Sequence, residues 1–194
     1  MQSVTETRPS GTGLIWTIGH STHPLEEFLS ILKGHSIKRL IDIRTVPRSR
    51  HNPQFNIEAL PVSLAPAGID YLHMPGLGGL RRPKPDSINT GWRNASFRGY
   101  ADYMLTPAFE DSLEQLIALA REKATVIMCA EAVQWRCHRS LVADALTVHG
   151  IGVDHIQNAK RTQSHKMTPF ARVDGSRITY ETQLQLAPDN SPED

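Results

Sequence analysis

The chain has 194 residues and a formal net charge of +1 at pH 7, and its length suits one α/β domain. A charge this close to zero excludes a global positive field that would attract nucleic acid or an anionic membrane. The two cysteines, Cys129 and Cys137, do not make a disulfide framework, so we expect a reduced, cytoplasmic setting. No apolar run reaches the roughly 20 residues that cross a bilayer, and we expect no membrane partner.

Apolar runs bounded by turn residues alternate with segments of helical periodicity along the chain. Strands are expected over residues 14–18, 39–43, 70–74, 124–128 and 153–156. Helices are expected over residues 24–34, 56–67, 97–104, 107–122 and 141–148. This alternation predicts a three-layer, Rossmann-like α/β fold with a mostly parallel sheet of about five strands.

The two ends of the chain differ in composition from its centre. Residues 1–13 are rich in Thr, Ser and Gly and are expected to form a disordered leader, with no apolar segment of a secretory signal. Residues 158–194 predict a basic linker, a hairpin around Asp174-Gly175 and an acidic tail. The α/β domain is therefore expected over residues 14–157.

Polar motifs follow four of the predicted strands. They are Gly19-His20-Ser21, Arg44 to His51, Gly76 to Gly79 and Glu131 to Arg139. Because the carboxyl ends of parallel strands share one edge of a sheet, motifs far apart in sequence converge there. The sequence therefore predicts one functional site at this edge.

These motifs resemble those of the domain-of-unknown-function family numbered 488. The segments that carry the resemblance are Thr17–Ser21, Ile41–Arg44 with Pro47–Arg50, Leu77–Gly79, Met128–Glu131 and Cys137–Arg139, and Tyr100–Met104 and Val153–Ile156 fit it as well. The resemblance covers about residues 14–157. It implies a compact bacterial or archaeal α/β domain in which the motif positions form a shared site. The family's name records no activity, so the resemblance implies no reaction.

Cys137 is the leading candidate for a nucleophile. It precedes His138, lies between Arg136 and Arg139, and is placed near the start of a predicted helix. Adjacent positive charge and a helix N-terminus both favour the thiolate form of a cysteine. The alternative is a half-buried cysteine whose neighbours cap the helix.

Glu131 and His20 are the candidates for proton exchange with Cys137. The alternative for Glu131 is an ion pair with a nearby arginine. Cys129 ends an apolar strand, which favours a core thiol, since cysteine is often buried as a small hydrophobic residue.

Clustered guanidinium groups predict an anion site, because their geometry matches phosphate oxygens in a bidentate fashion. The candidate substrate-binding residues are Arg44, Arg48, Arg136, His138, Arg139, Ser21, Gly78 and Gly79. The alternative for any one arginine is a solvated basic rim. Phosphate, a nucleotide or a nucleic-acid backbone is therefore the expected class of ligand.

A metal site is less favoured by the sequence. The possible ligands are His20, His51, His73, His138, Cys129, Cys137 and Glu131, but they show no CxxC, HxxxH or HExxH spacing. We therefore predict no metal ligands. The strand, Cys129 and Arg136 are analogous to the phosphate loop of cysteine phosphatases and rhodanese-like sulfurtransferases, but the loop is one residue longer and contains the acidic Glu131.

The combined prediction is an enzyme that acts on a phosphate-bearing substrate, a nucleotide or nucleic acid. The alternatives are a non-catalytic nucleotide- or nucleic-acid-binding module and a metal-binding protein. Trp92 is a candidate surface contact for a base, whereas Phe97, Tyr100 and Tyr103 are expected to pack their helix onto the sheet. The sequence predicts neither a cofactor nor an oligomeric state.

Overall fold

A computed structural model describes residues 13–182, which form eight strands and five α-helices. The strands are β1 Leu14–Gly19, β2 Arg39–Asp42, β3 Asp70–His73, β4 Thr125–Cys129, β5 Gly152–Asn158, β6 Arg161–Ser164, β7 Arg172–Asp174 and β8 Arg177–Thr179. The helices are α1 Leu25–Gly34, α2 Leu60–Leu64, α3 Ala95–Met104, α4 Pro107–Glu122 and α5 Arg139–Val148. No helix within these residues is long and apolar enough to span a membrane.

The main sheet has the strand order β3-β2-β4-β1-β5-β6. Strands β1 to β5 pair in parallel, and β6 pairs antiparallel to β5. All five residues of β4 are buried, as expected for a parallel strand that is covered on both faces. The prediction of a mostly parallel α/β sheet is confirmed.

Two apolar clusters cover the two faces of the sheet and make the fold three-layered. One contains Phe28 and Leu32 of α1 with Leu64 of α2, and the other contains Leu113 of α4 and Leu141 of α5. All five side chains are fully buried. Burying a side chain of this kind contributes about 1.5–3 kcal/mol, so these contacts hold the helices against the sheet.

The helix predicted over residues 56–67 is wrong in extent. The structure has a 3-10 turn at Pro53–Phe55, the five-residue α2 and a second 3-10 turn at Ala65–Ala67. Pro61 and Pro66 lack the N–H that a continuous helix requires, so the segment stays broken. Gly68 ends it with a φ of 67°, a left-handed conformation that favours glycine.

The basic stretch predicted as a linker contains the sixth strand, β6. Its four residues are all exposed at the edge of the sheet, and an edge strand of this kind shows no apolar alternation for a sequence to reveal. The hairpin predicted at Asp174-Gly175 is confirmed as β7 and β8, with Gly175 at a φ of 59°. The predicted leader, apart from Gly13, and the end of the predicted tail lie outside the described residues.

The segment after β6 is held to the body of the domain by the buried Asp144 of α5. Its carboxylate accepts hydrogen bonds from His165 Nε2, from the backbone N–H and hydroxyl of Thr168, and from the Tyr180 hydroxyl, at 2.7–3.0 Å. Tyr180 itself is fully buried in the larger apolar cluster. The C-terminal hairpin is therefore attached through a charged hydrogen-bond centre as well as through apolar packing.

Candidate functional site

A cavity of about 290 Å³ opens at the carboxyl ends of β2 and β4. It is lined by Arg44, Thr45, Val46, Gly79, Leu80, Ser96, Phe97, Cys129, Ala130, Glu131, Arg136, Cys137 and His138. Segments that follow three different strands therefore meet at one edge of the sheet, which is the usual place for a ligand site in this architecture. The size suits a small molecule.

Cys137 lies two residues before α5, in extended backbone, and is buried. The backbone N–H of Arg139 donates to Cys137 Sγ at 3.5 Å, and the Ser140 N–H donates to the Cys137 carbonyl at 3.0 Å. The positive end of the helix therefore points at the sulfur, and this end of a helix favours negative charge.

His138 lies beside both sulfurs of the site. Its Nδ1 is 3.7 Å from Cys137 Sγ and 3.9 Å from Cys129 Sγ. Its Nε2 is 3.3 Å from the carbonyl oxygen of Ile43, which can only accept, so Nε2 carries a proton and donates it. In the neutral ring, this tautomer leaves the lone pair of Nδ1 directed at the two sulfurs.

Gly79 leaves room for the imidazole ring of His138. A Cβ placed on Gly79 would lie 2.3 Å from His138 Nδ1 and 2.7 Å from its Cγ, so only glycine fits against the ring. On another side the ring packs against Tyr100, with centroids 5.0 Å apart. The imidazole is thus fixed by a glycine, an aromatic ring and a backbone carbonyl.

The environment shifts the pKa values of the two thiols in opposite directions. The hydrogen bond from Cys129, followed by the influence of His138 and Arg139, holds the pKa of Cys137 well below its usual value against the opposing effect of burial. The same hydrogen bond and burial raise the pKa of Cys129. The thiolate is therefore favoured on Cys137 and the thiol on Cys129, which agrees with the position of the helix end.

Arg44 lines the cavity, but its charge is already paired. Its guanidinium forms several hydrogen bonds with the Asp42 carboxylate, the shortest at 2.6 Å, and one with the Phe55 carbonyl at 2.6 Å. Both charged side chains are buried. Most of the donors that could hold an anion are therefore committed to the protein.

His20 lies behind Arg44 and does not line the cavity. It is 2% exposed, stacks on Phe55 at 4.4 Å between centroids, and its Nε2 is 3.2 Å from Nη1 of Arg44. Burial, and then the charge of Arg44, lower its pKa to about 4. It is therefore neutral at pH 7, with Nδ1–H donating to the Ser21 carbonyl and Nε2 accepting from Arg44.

The other predicted arginines take three different positions. Arg139 is 2% exposed and donates to the carbonyl oxygens of Glu131, at 2.7 Å, and Ala132, at 3.4 Å, so it shapes the loop rather than the cavity. Arg48 is exposed, lies outside the cavity and forms an ion pair with Glu58. Arg136 is exposed on the cavity wall and makes no ion pair within residues 13–182.

The remaining residues predicted for the site are Glu131, Ser21 and Gly78. Glu131 is exposed and lines the cavity. The Ser21 N–H is occupied by the Ala130 carbonyl at 2.9 Å, and Gly78 packs against Thr45 Oγ1, 2.4 Å from where a Cβ would lie. Ser21 and Gly78 therefore support the loops around the cavity without lining it.

Two features of the site were not predicted from the sequence. Cys129 is buried in the larger apolar cluster, as its sequence position favoured, but it also belongs to the cavity wall. An apolar part of the wall comes from Val46, Leu80 and Phe97. The position of Cys129 could have been predicted, because it is the last residue of its strand and such residues face the edge of the sheet where ligands bind. Nothing in the sequence indicated the apolar part of the wall.

Among the described residues, Cys129, Cys137 and His138 form the group that could hold a metal ion. Their ligand atoms all lie within 4.8 Å of one another. The sequence predicted no metal ligands because the compact spacings are absent, but the fold brings the strand end and the helix start together across the intervening loop.

No curated protein and no solved structure matches this chain. A family model described as domain of unknown function DUF488 matches residues 24–146, a range that contains every side chain that lines the cavity. The chain therefore belongs to the DUF488 family.

Proposed function

We propose that this protein is a thiol-dependent enzyme that acts on a small phosphate-bearing substrate, such as a nucleotide, bound in the cavity at the sheet edge. One observation carries the proposal. Cys137 Sγ and His138 Nδ1 lie 3.7 Å apart on the wall of a cavity large enough for such a molecule. A nucleophile beside a base whose ring is oriented by a third group is the arrangement that covalent catalysis requires.

In the proposed reaction, Cys137 Sγ attacks an electrophilic carbon or phosphorus of the substrate. Because the thiolate is favoured on Cys137, the proton for the departing group comes from the Cys129 thiol by way of His138 Nδ1, which lies 3.9 Å from Cys129 Sγ, while Nε2–H remains bonded to the Ile43 carbonyl. A sulfur–substrate bond forms as the bond to the leaving group breaks. A water molecule then releases the product from sulfur, and Glu131, on the same wall, is the candidate base for that water.

The cation that supports phosphate binding is Arg136. Arg44 is neutralised by Asp42, and Arg139 is buried and does not line the cavity, so each offers little to an anion there. Arg136, which makes no ion pair among the described residues, lies on the same cavity wall as the apolar Val46 and Phe97, and this pairing suits one phosphate group on an organic molecule. The observations favour a small nucleotide over a nucleic-acid strand, which would require a row of cations.

Binding is tested by titrating the protein with inorganic phosphate and with AMP. Charge-assisted hydrogen bonds contribute about 1.5–3 kcal/mol, so Arg136→Gln should weaken AMP binding by about 10- to 100-fold. Arg48→Gln removes an arginine that is exposed but outside the cavity, and it is the matched control. Equal affinities for wild type and Arg136→Gln would refute this part of the proposal.

Catalysis is tested through the thiol. We expect iodoacetamide to modify Cys137 before Cys129 at neutral pH, and His138→Gln to slow that modification. Turnover of nucleotide substrates should be lost in Cys137→Ser and reduced in Glu131→Gln. If both variants retain every activity of the wild type, the assignment of Cys137 and Glu131 to catalysis is wrong. Nucleotide binding without turnover in the wild type would indicate a non-catalytic binding module instead.

A further inference from the structure

We propose that Cys129, Cys137 and His138 also form a binding site for a thiophilic divalent metal ion of the Zn²⁺ type, with the fourth coordination position open to the cavity. The site combines two sulfur ligands and one imidazole nitrogen. This inference rests on the positions of the three side chains and not on the proposed enzymatic reaction.

The two distances between nitrogen and sulfur match those around a tetrahedral ion. Zinc binds sulfur at about 2.3 Å and nitrogen at about 2.0–2.1 Å, so a tetrahedron has edges of about 3.6 Å between S and N and about 3.8 Å between two S atoms. The observed distances from His138 Nδ1 are 3.7 Å to Cys137 Sγ and 3.9 Å to Cys129 Sγ. All three atoms fall within 4.8 Å of one another, so only small side-chain shifts are needed.

The surroundings orient the imidazole as they do in metal sites. A metal-bound histidine usually donates its other ring N–H to a carbonyl or carboxylate, which fixes the tautomer and the ring plane. His138 Nε2 meets the Ile43 carbonyl at 3.3 Å, and Gly79 leaves the space beside Nδ1 free of a Cβ. The lone pair of Nδ1 is therefore presented on the side where both sulfurs lie.

The backbone holds the three ligands at fixed positions. Cys129 ends the buried central strand, and Cys137 and His138 immediately precede α5, which packs in the larger apolar cluster. Two thiolates and one imidazole select a soft or borderline ion over Mg²⁺ or Ca²⁺, which prefer oxygen ligands. Two thiolates also balance the charge of a divalent ion.

The cavity supplies the fourth position. All three ligand residues line its wall, so water or a ligand can reach an ion held there. Sites with three protein ligands and one open position are typical of exchangeable or catalytic zinc. An ion bound to Cys137 Sγ occupies the lone pair that would attack a substrate, so the metal-bound form should have an unreactive Cys137.

The experiment titrates the reduced, metal-free full chain with Co²⁺ and follows its absorption. We expect one Co²⁺ per chain, ligand-field bands of a four-coordinate ion, and sulfur-to-cobalt charge transfer that Zn²⁺ abolishes by displacement. Cys129→Ser and Cys137→Ser should each halve the charge-transfer intensity, because one of two thiolates remains. His138→Gln should weaken binding at least about 10-fold. His51→Gln removes an exposed histidine outside the site and is the control.

Each result decides the inference. Wild-type protein that gives no charge-transfer band, or a band that survives unchanged in Cys137→Ser, overturns it, and the wild-type measurement does not depend on any variant folding. Circular dichroism identifies variants that do not fold, and Cys→Ala replacements then take their place. Zn²⁺ should also slow alkylation of Cys137 by iodoacetamide, and an unchanged rate at saturating Zn²⁺ contradicts ligation by that sulfur.

The same measurements separate this inference from the proposed function. Cobalt bands together with an unreactive Cys137 in the metal-free protein would support the metal site and refute the thiol nucleophile. A reactive Cys137 without cobalt bands would give the opposite result.

Discussion

Acidification is expected to destabilise the protein through two buried histidines, His20 and His155. They are 2% and 3% exposed, and burial, as the larger cause, lowers the pKa of each from 6.5 to about 4. The second cause is the charge of Arg44 for His20 and the neighbouring His165 for His155. Because each pKa is lower in the folded than in the unfolded state, unfolding takes up protons between about pH 6.5 and pH 4. Stability is therefore full above that range and is lost as the pH falls through it.

The size of the effect follows from the shifts. One pKa unit corresponds to 1.36 kcal/mol, so a fall from 6.5 to about 4 is worth about 3 kcal/mol for each histidine. Within the window, each adds a slope of up to about 1.4 kcal/mol per pH unit to the free energy of unfolding. Domains are typically stable by about 5–15 kcal/mol, so the loss of both histidine contributions would remove a large part of that stability by pH 4.

Urea unfolding between pH 4.5 and pH 8 measures this slope. His20→Gln should lower stability at neutral pH, because the stacking on Phe55 and the contact with Arg44 are lost. His20→Gln should also reduce the number of protons taken up on unfolding by about one, which makes the free energy of unfolding less dependent on pH. His155→Gln should reduce that number by a similar amount. The exposed His51→Gln is the control for replacing a histidine. A pH dependence in His20→Gln as steep as that of the wild type would refute the assignment of a buried, neutral His20.

Two further changes test the site and the attachment of the C-terminal segment. In Gly79→Ala, the new Cβ would lie 2.3 Å from His138 Nδ1, so we expect the Co²⁺ affinity and the rate of Cys137 alkylation to fall at least about 10-fold. Gly13→Ala is the control and should change neither quantity, because its Cβ would lie 3.6 Å from the nearest atom, an ordinary contact distance. In Asp144→Asn, the carboxylate that accepts four hydrogen bonds is lost, and urea unfolding should show a destabilisation of about 3 kcal/mol. Unchanged Co²⁺ affinity and alkylation rate in Gly79→Ala, or an unchanged free energy of unfolding in Asp144→Asn, would contradict these contacts.

The parts of the fold that were predictable from the sequence are those with strong apolar patterning. The helix expected over residues 107–122 has those bounds in the structure, and the buried strand β4 is displaced by one residue from its prediction. Its apolar run is continuous because both faces of the sheet are covered. Strand β6 was not predictable, since its exposed residues show no apolar periodicity. The segment around α2 is interrupted by prolines, but its sequence pattern resembled that of a longer helix.

The candidate site was predictable in position but not in detail. The parallel sheet brings Arg44 and Cys137 to one cavity, as the strand-end motifs indicated. What the sequence could not show is which charges are already paired. Asp42, the last residue of β2, satisfies the guanidinium of Arg44, and Arg139 donates to loop carbonyls. Of the two arginines that line the cavity, Arg136 is therefore the one that makes no ion pair among the described residues.

Residues from motifs that are distant in the sequence hold one imidazole ring, that of His138. Ile43 follows β2 and accepts from His138, Gly79 follows β3 and makes room for it, and Tyr100 of α3 packs against it while donating to the Leu77 carbonyl at 2.9 Å. A ring fixed from three directions cannot rotate away from the sulfurs, so its orientation does not depend on a bound ligand. The same constraint serves a proton acceptor for a thiol and a nitrogen ligand for a metal. Under the two proposals made above, the ligand that binds in the site, rather than the fold around it, decides which chemistry takes place.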